Sequence, residues 1–503
     1  MTLNKVLKQI LFMNFMTNQQ LYRYIGLVFL TLCVCMIPYT SKGQALEHAA
    51  LTYYKYAHDK AEMSLTYTYE RSPQAVVQQY GRGINQMEFE VNAYHILNKN
   101  SRLWGEVSYT NACTFDIQGT ETSDYDLVYP YVVADEVGGD MKSEAYQFNT
   151  GYAWHHKKWT FGGTLGYRAL LAYRDIDPRP KNTIGHLKST ISVAYDINLT
   201  HLWSVHIGGE KYKQATGISL YNPYKTVLFY HDTGLGTDYS RFSGKGCSTD
   251  ITGQFYQFSM AYYPKTGNGF GAQFDWKNKQ LQKVLSGFNA LPLNDLRSNS
   301  YKYIAYYVQN NLSNRWKIQS SWYTANRKGT ENIFGSDAST TYEKISSRQY
   351  YNQRIYAGTI EGLYSWNLNH KHWYEIAPKV SWISNEQVHK RDHRELDYTW
   401  LVASLETKAH LLFKKSTLHL SIIGQMRWVP RATCNFDIQQ YTFVNKNHIM
   451  DANHQQMMTI NVRYDTPWLV ADKQIYVMGS YSHGRYAESL QTHRGTCGLG
   501  IIF

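Results

Sequence analysis

From residue 87 to residue 481 the chain repeats one pattern: two arms, each apolar at every second position, joined by a few polar residues. In YQFNTGYAWHHKKWTFGGTLGY (146–167), Tyr146, Phe148, Tyr152 and Trp154 alternate with Gln147, Asn149, Gly151 and Ala153. After a basic turn, Trp159, Phe161, Leu165 and Tyr167 alternate with Thr160, Gly162, Thr164 and Gly166. A period of two puts successive side chains on opposite faces of a strand. Each arm therefore has one greasy, aromatic face and one small, polar face. The same reading holds for 87–94 with 103–110, 189–196 with 202–209, 255–263 with 269–276 and 301–308 with 315–322. It holds again for 354–366 with 373–382, 397–412 with 417–428 and 457–464 with 473–481, and for single arms at 64–70 and 494–503. The greasy faces need either a protein core or lipid.

The connections decide between the two. Short turns alternate with longer, polar connections at 71–85, 112–142, 174–186, 214–252, 284–297, 328–349, 387–394, 430–451 and 482–490. This layout predicts an all-β fold, a transmembrane antiparallel up-and-down β-barrel of about 18 strands with short periplasmic turns and long extracellular loops. An even strand number returns both ends of the barrel to the periplasmic side. Trp154, Trp159, Trp366 and Trp373 sit beside short turns, Trp104, Trp203 and Trp316 lie near one, and Trp468 lies within another. Amphipathic rings at one level predict an interfacial belt. Composition agrees: aromatics are 15% of residues and charged residues 18%, below the usual quarter or so. Mean hydropathy is −0.48, and past residue 38 no apolar run is long enough for a membrane helix.

Residues 1–43 read as a signal peptide, with Arg23 before the apolar run 25–38 and Ser41 and Gly43 as small residues at a cleavage site. Its removal takes away four of the 51 basic residues and none of the 39 acidic ones, so net charge falls from +12 to +8. The remaining excess is scattered through turns and loops, which argues against nucleic acid as a partner. Residues 44–62 are expected to form a periplasmic segment or a short plug helix, because Leu46, Ala49, Ala50, Tyr53 and Ala57 recur at helical spacing. A frayed lead-in to the first strand fits them equally. The barrel is expected to occupy 63–503. Cys113, Cys247, Cys434 and Cys497 form no Cys-x-x-Cys pair, so no zinc site is expected, and their disulfide state stays open.

The polar faces should line the lumen with Glu88, Glu90, Glu106, Asp275, Glu361 and Glu375, opposed by Lys277, Lys317, Lys379, Arg427 and Arg463. Most of these charges are expected to pair across strands. A barrel this wide is not filled by its own side chains, so water or inserted loops must occupy the rest. Two loop strings stand out as constriction or ligand-contact candidates. YRDIDPRPKNTIGH (173–186) presents Arg174, Asp177, Arg179 and Lys181 on backbone stiffened by two prolines. YTANRKGTENIFG (323–335) presents Arg327, Lys328 and Glu331. The plainer reading of both strings is a rigid structural loop folded over the barrel mouth by Arg–carboxylate pairs. No cofactor fingerprint, P-loop or His-Glu-x-x-His motif occurs, and His155, His156, His370 and His372 read as solvated turn residues.

The final strand, RGTCGLGIIF, ends in alternating Leu499, Ile501 and Phe503 and resembles the signal that outer-membrane barrels offer to the barrel-assembly machinery. Cys497 stands where a polar residue is expected. The signal peptide, the hairpin series, the Tyr173-Arg174-x-x-Asp177-Pro178-Arg179-Pro180-x-Asn182 loop, the Arg327-Lys328-Gly329-x-Glu331 segment and this strand together resemble a Bacteroidota family of outer-membrane β-barrels of unknown function. The resemblance spans nearly the whole mature chain. It implies a location in the outer membrane, contact with its lipid, and a TonB-dependent receptor or surface lipoprotein as neighbour, and it supplies no catalytic residues. The expected role is a channel or uptake component for small polar solutes. The alternative is a plugged barrel acting as a binding or scaffold partner in a surface nutrient-uptake complex. A third reading is an outer-membrane hydrolase, for which Tyr481-Ser482-His483-Gly484 gives a faint motif with Arg485 where the nucleophilic serine belongs.

Overall fold

The computed structural model describes residues 45–503, except 56–57, 223, 225, 245–247, 336–341, 369, 471 and 488–489. The signal-peptide reading of 1–43, and the place of Ala57 and Cys247, lie outside the described residues. Eighteen strands form one antiparallel sheet in chain order, and the sheet closes on itself. Strand Lys60–Arg71 pairs with Gly83–Asn98 on one side and with Gln491–Ile502 on the other, with Leu65 opposite Leu499 at the seam. Every arm read from the sequence is a strand, and most run on past the arm toward the long-loop rim. The arm 301–308 is part of Leu291–Asn310, and 354–366 is part of Lys344–Trp366. The connections shrink accordingly: 174–186 becomes 174–178 and 284–297 becomes 286–290.

The period of two persists along each strand, but the parity of the apolar residues switches. In Thr249–Pro264, Tyr256 and Met260 are exposed on the outside while Gln257 and Ser259 are buried on the inside. Nearer the long-loop rim, Thr252 and Gln254 are exposed and Ile251 and Phe255 are buried. His201–Ser219 repeats this, with Trp203, Val205 and Ile207 outside Ser204 and His206, then Lys211 and Lys213 outside Tyr212. At the switch stands a girdle that includes Tyr256, Trp276, Tyr301, Trp322, Tyr356 and Trp382. Trp276 lies opposite Tyr301, and Trp322 stacks on Trp382 across one strand. Trp154, Trp159, Trp203 and Trp316 form the girdle at the short-turn rim. An apolar band between two aromatic rings is an exterior built for lipid. Trp104 and Trp373 depart from the expected belt. They share the parity of Glu106 and Glu375 and turn inward, Trp104 onto Tyr94 and Trp373 onto His410.

Above the switch the inner face is apolar because it meets protein. The segments 118–138 and 229–244 fold back into the mouth and join as a three-stranded sheet: Val133–Ala134, Tyr230–Gly234 and Thr237–Asp238. Val133 lies opposite His231. A helical turn, Tyr125–Val128, brings Val128, Tyr131 and Val132 against Ile184, Tyr212, Ile251, Phe255, Leu281 and Leu296 of the wall. Gly329 admits this plug: a Cβ there would fall 2.4 Å from the Tyr131 hydroxyl.

At the opposite end the turn Ala49–Thr52 sits inside the barrel. The wall facing it is small: Ala153, Thr160 and Ala194 are fully buried, and a Cβ on Gly162 would fall 2.5 Å from the Ala49 and Ala50 backbone. Ala50 N donates to Ser192 Oγ at 2.6 Å, and Tyr54 Oη bonds Thr160 Oγ1 at 2.8 Å. His48, buried, bonds Ser204 Oγ and Ser259 Oγ, both at 2.7 Å, and Leu46 N donates to Asp275 at 3.1 Å. Burial holds the His48 ring far below its ordinary pKa, at about 3, so it is a neutral imidazole between two hydroxyls.

Candidate functional site

The site is the mouth, and it is assembled from plug to wall by polar anchors. Arg174 and Glu121 form an ion pair at 2.9 Å with both side chains almost wholly buried. Arg174 also donates to Pro178 O, and Asn182 Nδ2 donates to Glu121 O at 2.9 Å. Burial pushes the Glu121 carboxyl well above the usual range, and Arg174 works against that shift. Arg168 pairs with Asp124, which also accepts from Tyr212 Oη at 3.0 Å. Lys283 Nζ donates to Val132 O at 3.0 Å. Arg327 spans two plug carbonyls, Tyr129 O at 3.0 Å and Asp126 O at 2.9 Å.

Beside the plug lies a cavity of about 760 Å³, bounded by the plug, by strands Lys344–Trp366, His372–His389 and Arg394–Phe413, and by the helix Thr442–Asp451 that roofs it. Its lining mixes tyrosine rings with side-chain amides. Tyr129 Oη and Tyr351 Oη both donate to Gln387 Oε1, at 3.3 and 3.0 Å, and Gln353 Nε2 donates to Asn385 Oδ1 at 2.9 Å. The roof is held by Asn447, which bonds Gln79 and Gln78 N, and by His448 against Tyr398 Oη at 2.8 Å. Asp232, in the plug sheet, accepts from Gly234 N at 2.9 Å, and burial raises its carboxyl to about 6.

The residues singled out from the sequence divide among these places. Arg174 is the buried plug anchor. Asp177 accepts from the backbone N–H of Asn222 and Tyr221, which with Arg179 hold its carboxyl below the usual range. Arg179 lies 4.1 Å over the Tyr221 ring. These two tie one long connection to another at the rim. Lys181 departs from its loop assignment: it lies in strand Arg179–Asp196, on the exposed outer face. Arg327 and Glu331 likewise lie in a strand, Arg315–Phe334, because the plug covers the inner face there and the ladder continues. Glu331 is buried against His389 and Arg391, at 3.3 and 3.2 Å.

Lower in the lumen, Arg463 bonds Glu62 at 2.6 Å and Asp465 at 2.8 Å, and Glu375 bonds Lys408 at 3.0 Å. Asp275 is taken by Ser259 and the Leu46 backbone. Lys317 stands over the Tyr306 ring, Lys379 is opposite Glu361, and Glu88, Glu90 and Glu106 share one inner patch on two paired strands. Ser482 is buried on the inner face against Thr459, whereas His483 neighbours His493 on the outer face, so these two do not meet. Cys113, Cys434 and Cys497 are unpaired. Among the described residues no cluster of three or more His, Cys, Asp or Glu could hold a metal ion.

Sequence reasoning allowed for inserted loops in the lumen but did not identify which connections form the plug. Its signal is LVYPYVVA (127–134), an apolar run inside a connection that otherwise reads as polar loop. A second signal is the set of apolar residues at lumen-facing positions, such as Phe255 and Leu281.

No curated protein matches the sequence. Among solved structures the chain is similar to the outer membrane transporter YddB from Escherichia coli, with 7% identity, 89% of this chain and 81% of that chain covered, and a TM-score of 0.42. It is similar to BauA, the ferric preacinetobactin receptor from Acinetobacter baumannii, with 10% identity, 88% and 80% covered, and a TM-score of 0.39. It is also similar to OccAB4 from Acinetobacter baumannii, with 8% identity, 90% and 99% covered, and a TM-score of 0.38. One family model, described as a family of unknown function (DUF6850), matches residues 49–503.

Proposed function

The chain belongs to that family of unknown function, DUF6850, which hands down no activity, and we propose that it is an outer-membrane barrel that admits small polar solutes past a plug made of its own loops. Its short turns would face the periplasm and its long connections the outside. The outward apolar band between two aromatic girdles supports the membrane, since a closed barrel satisfies every backbone group within the wall. The observation that carries the uptake reading is the division of the mouth. One side is occupied by a plug whose core is shared with the wall, and the other is left as a polar cavity of about 760 Å³.

Planar-bilayer conductance tests it. Folded protein should carry a small current, and shortening 118–138 and 229–244 to tight turns should raise that current at least ten-fold. No current from either protein would defeat the uptake reading. The number of plug-to-wall hydrogen bonds favours a second reading, a plugged barrel that binds or scaffolds a TonB-dependent receptor or surface lipoprotein. That reading expects current only after the plug is shortened.

A further inference from the structure

We propose that the mouth cavity is a binding site for neutral oligosaccharide, which deepens the uptake reading and rests on it for the fate of the bound ligand. The first observation is the aromatic wall. Tyr80 meets Tyr125 at 6.1 Å and 90°, Tyr125 meets Tyr129 at 5.3 Å, and Tyr129 meets Tyr351 at 5.8 Å. The first three of these rings line the cavity. A ring face is electron-rich, and the C–H groups on the flat side of a pyranose are its natural complement.

The second observation is the polar partner set. Gln79, Gln118, Gln353, Asn385, Gln387 and Asn447 all line the same cavity. A side-chain amide offers both a donor and an acceptor, as a sugar hydroxyl does. Gln387 uses Oε1 for the two phenols, which leaves its NH₂ group to serve another acceptor.

The third observation is charge. The lining holds six carboxylates against Arg327 and Lys446, with His448 besides. That balance repels phosphorylated, sulfated or sialylated ligands. It does not by itself select cations, because several of the carboxylates are already engaged. Asp135 accepts from Val137 N and Gly138 N, Asp232 from Gly234 N, Asp238 from Ser243, and Asp451 pairs with Arg427. Glu136 accepts from Tyr230 Oη, so the lining that remains is Asp126, Lys446, phenols and amides. The volume lies within the range of about 300–1,000 Å³ common to small-molecule sites, enough for several sugar rings.

The test uses intact protein in detergent, applied to an array of neutral and acidic glycans, followed by calorimetry with the best neutral glycan and with choline and spermidine. We expect neutral glycans to be retained, acidic glycans to be ignored, and Tyr80→Ala and Gln387→Ala each to weaken the best glycan at least ten-fold. Both variants should keep the heat-modifiable electrophoretic mobility of a folded barrel. If either fails to fold, Gln353→Ala takes its place with the same expected loss. Retention of acidic glycans only, binding of choline or spermidine without any glycan, or glycan binding indifferent to these variants would overturn the proposal. Liposome swelling separates it from the uptake reading. Glycan binding without permeation removes uptake and keeps the site, whereas permeation of amino acids without glycan binding does the reverse.

Discussion

At the scale of single residues, the plug depends on charges taken out of water. Arg174 and Glu121 are buried together, and removing one partner strands the other. Arg174→Ala should cost about 3–5 kcal/mol of plug docking, read as faster hydrogen exchange across 118–138. Glu121→Gln should cost less, because a glutamine carbonyl still accepts from Arg174. Asp232 makes the second prediction. Its carboxyl is raised from an ordinary 3.8 to about 6 by burial, with Lys283 opposing and Asp238 reinforcing the shift. A raised acid is favoured in its protonated state when folded, so its contribution is fully present below about pH 4 and is lost as pH rises toward and through 6. Amides of 229–238 should therefore exchange faster at pH 7 than at pH 5, after correction for intrinsic rates. Asp232→Asn should flatten that difference, and an unchanged pH response would sink the assignment.

At the scale of elements, the switch of apolar parity says where lipid ends. Ile207 and Lys213 lie on the same outer face of His201–Ser219, six positions apart, on either side of the switch. Ile207→Arg should cost about 2–4 kcal/mol of folding into bilayers, and Lys213→Glu close to nothing, both read from urea titrations in liposomes. The N-terminal turn gives a companion prediction. Gly162→Val should expel residues 46–54, because no side chain fits beside the Ala49–Ala50 backbone, and a protease should then cut there in otherwise folded barrels.

The strands and their outward faces were legible in the sequence, since tyrosine and tryptophan at every second position admit one reading once eighteen such arms recur. Strand lengths and the segments that make the plug were not. Counting a period of two registers the rhythm but not which parity is apolar. The shift from Tyr256 and Met260 outward to Ile251 and Phe255 inward leaves the rhythm intact. Arg327 and Glu331 read as loop for the same reason. Polar sequence can continue a strand when the neighbouring strand continues with it and protein covers its inner face. Arg174 stood out as a candidate, but its partner Glu121 lies 53 residues away, and only the folded plug joins them.

At the scale of the whole molecule, wall and plug are held by different bonds. The wall is one continuous backbone ladder, whereas the plug hangs from two connections and touches the wall through side chains. Shortening both plug connections should leave the barrel folded and its urea midpoint nearly unchanged while conductance rises. The seam imposes an order in time. All other neighbours in the wall are successive in the chain, but Lys60–Arg71 must find Gln491–Ile502 across 428 positions, as the Thr68–Thr496 hydroxyl pair measures. Until it does, both edges carry bare N–H and C=O groups that hydrocarbon does not tolerate. The open sheet therefore cannot rest within the membrane, and crossing the bilayer and becoming a cylinder are a single event.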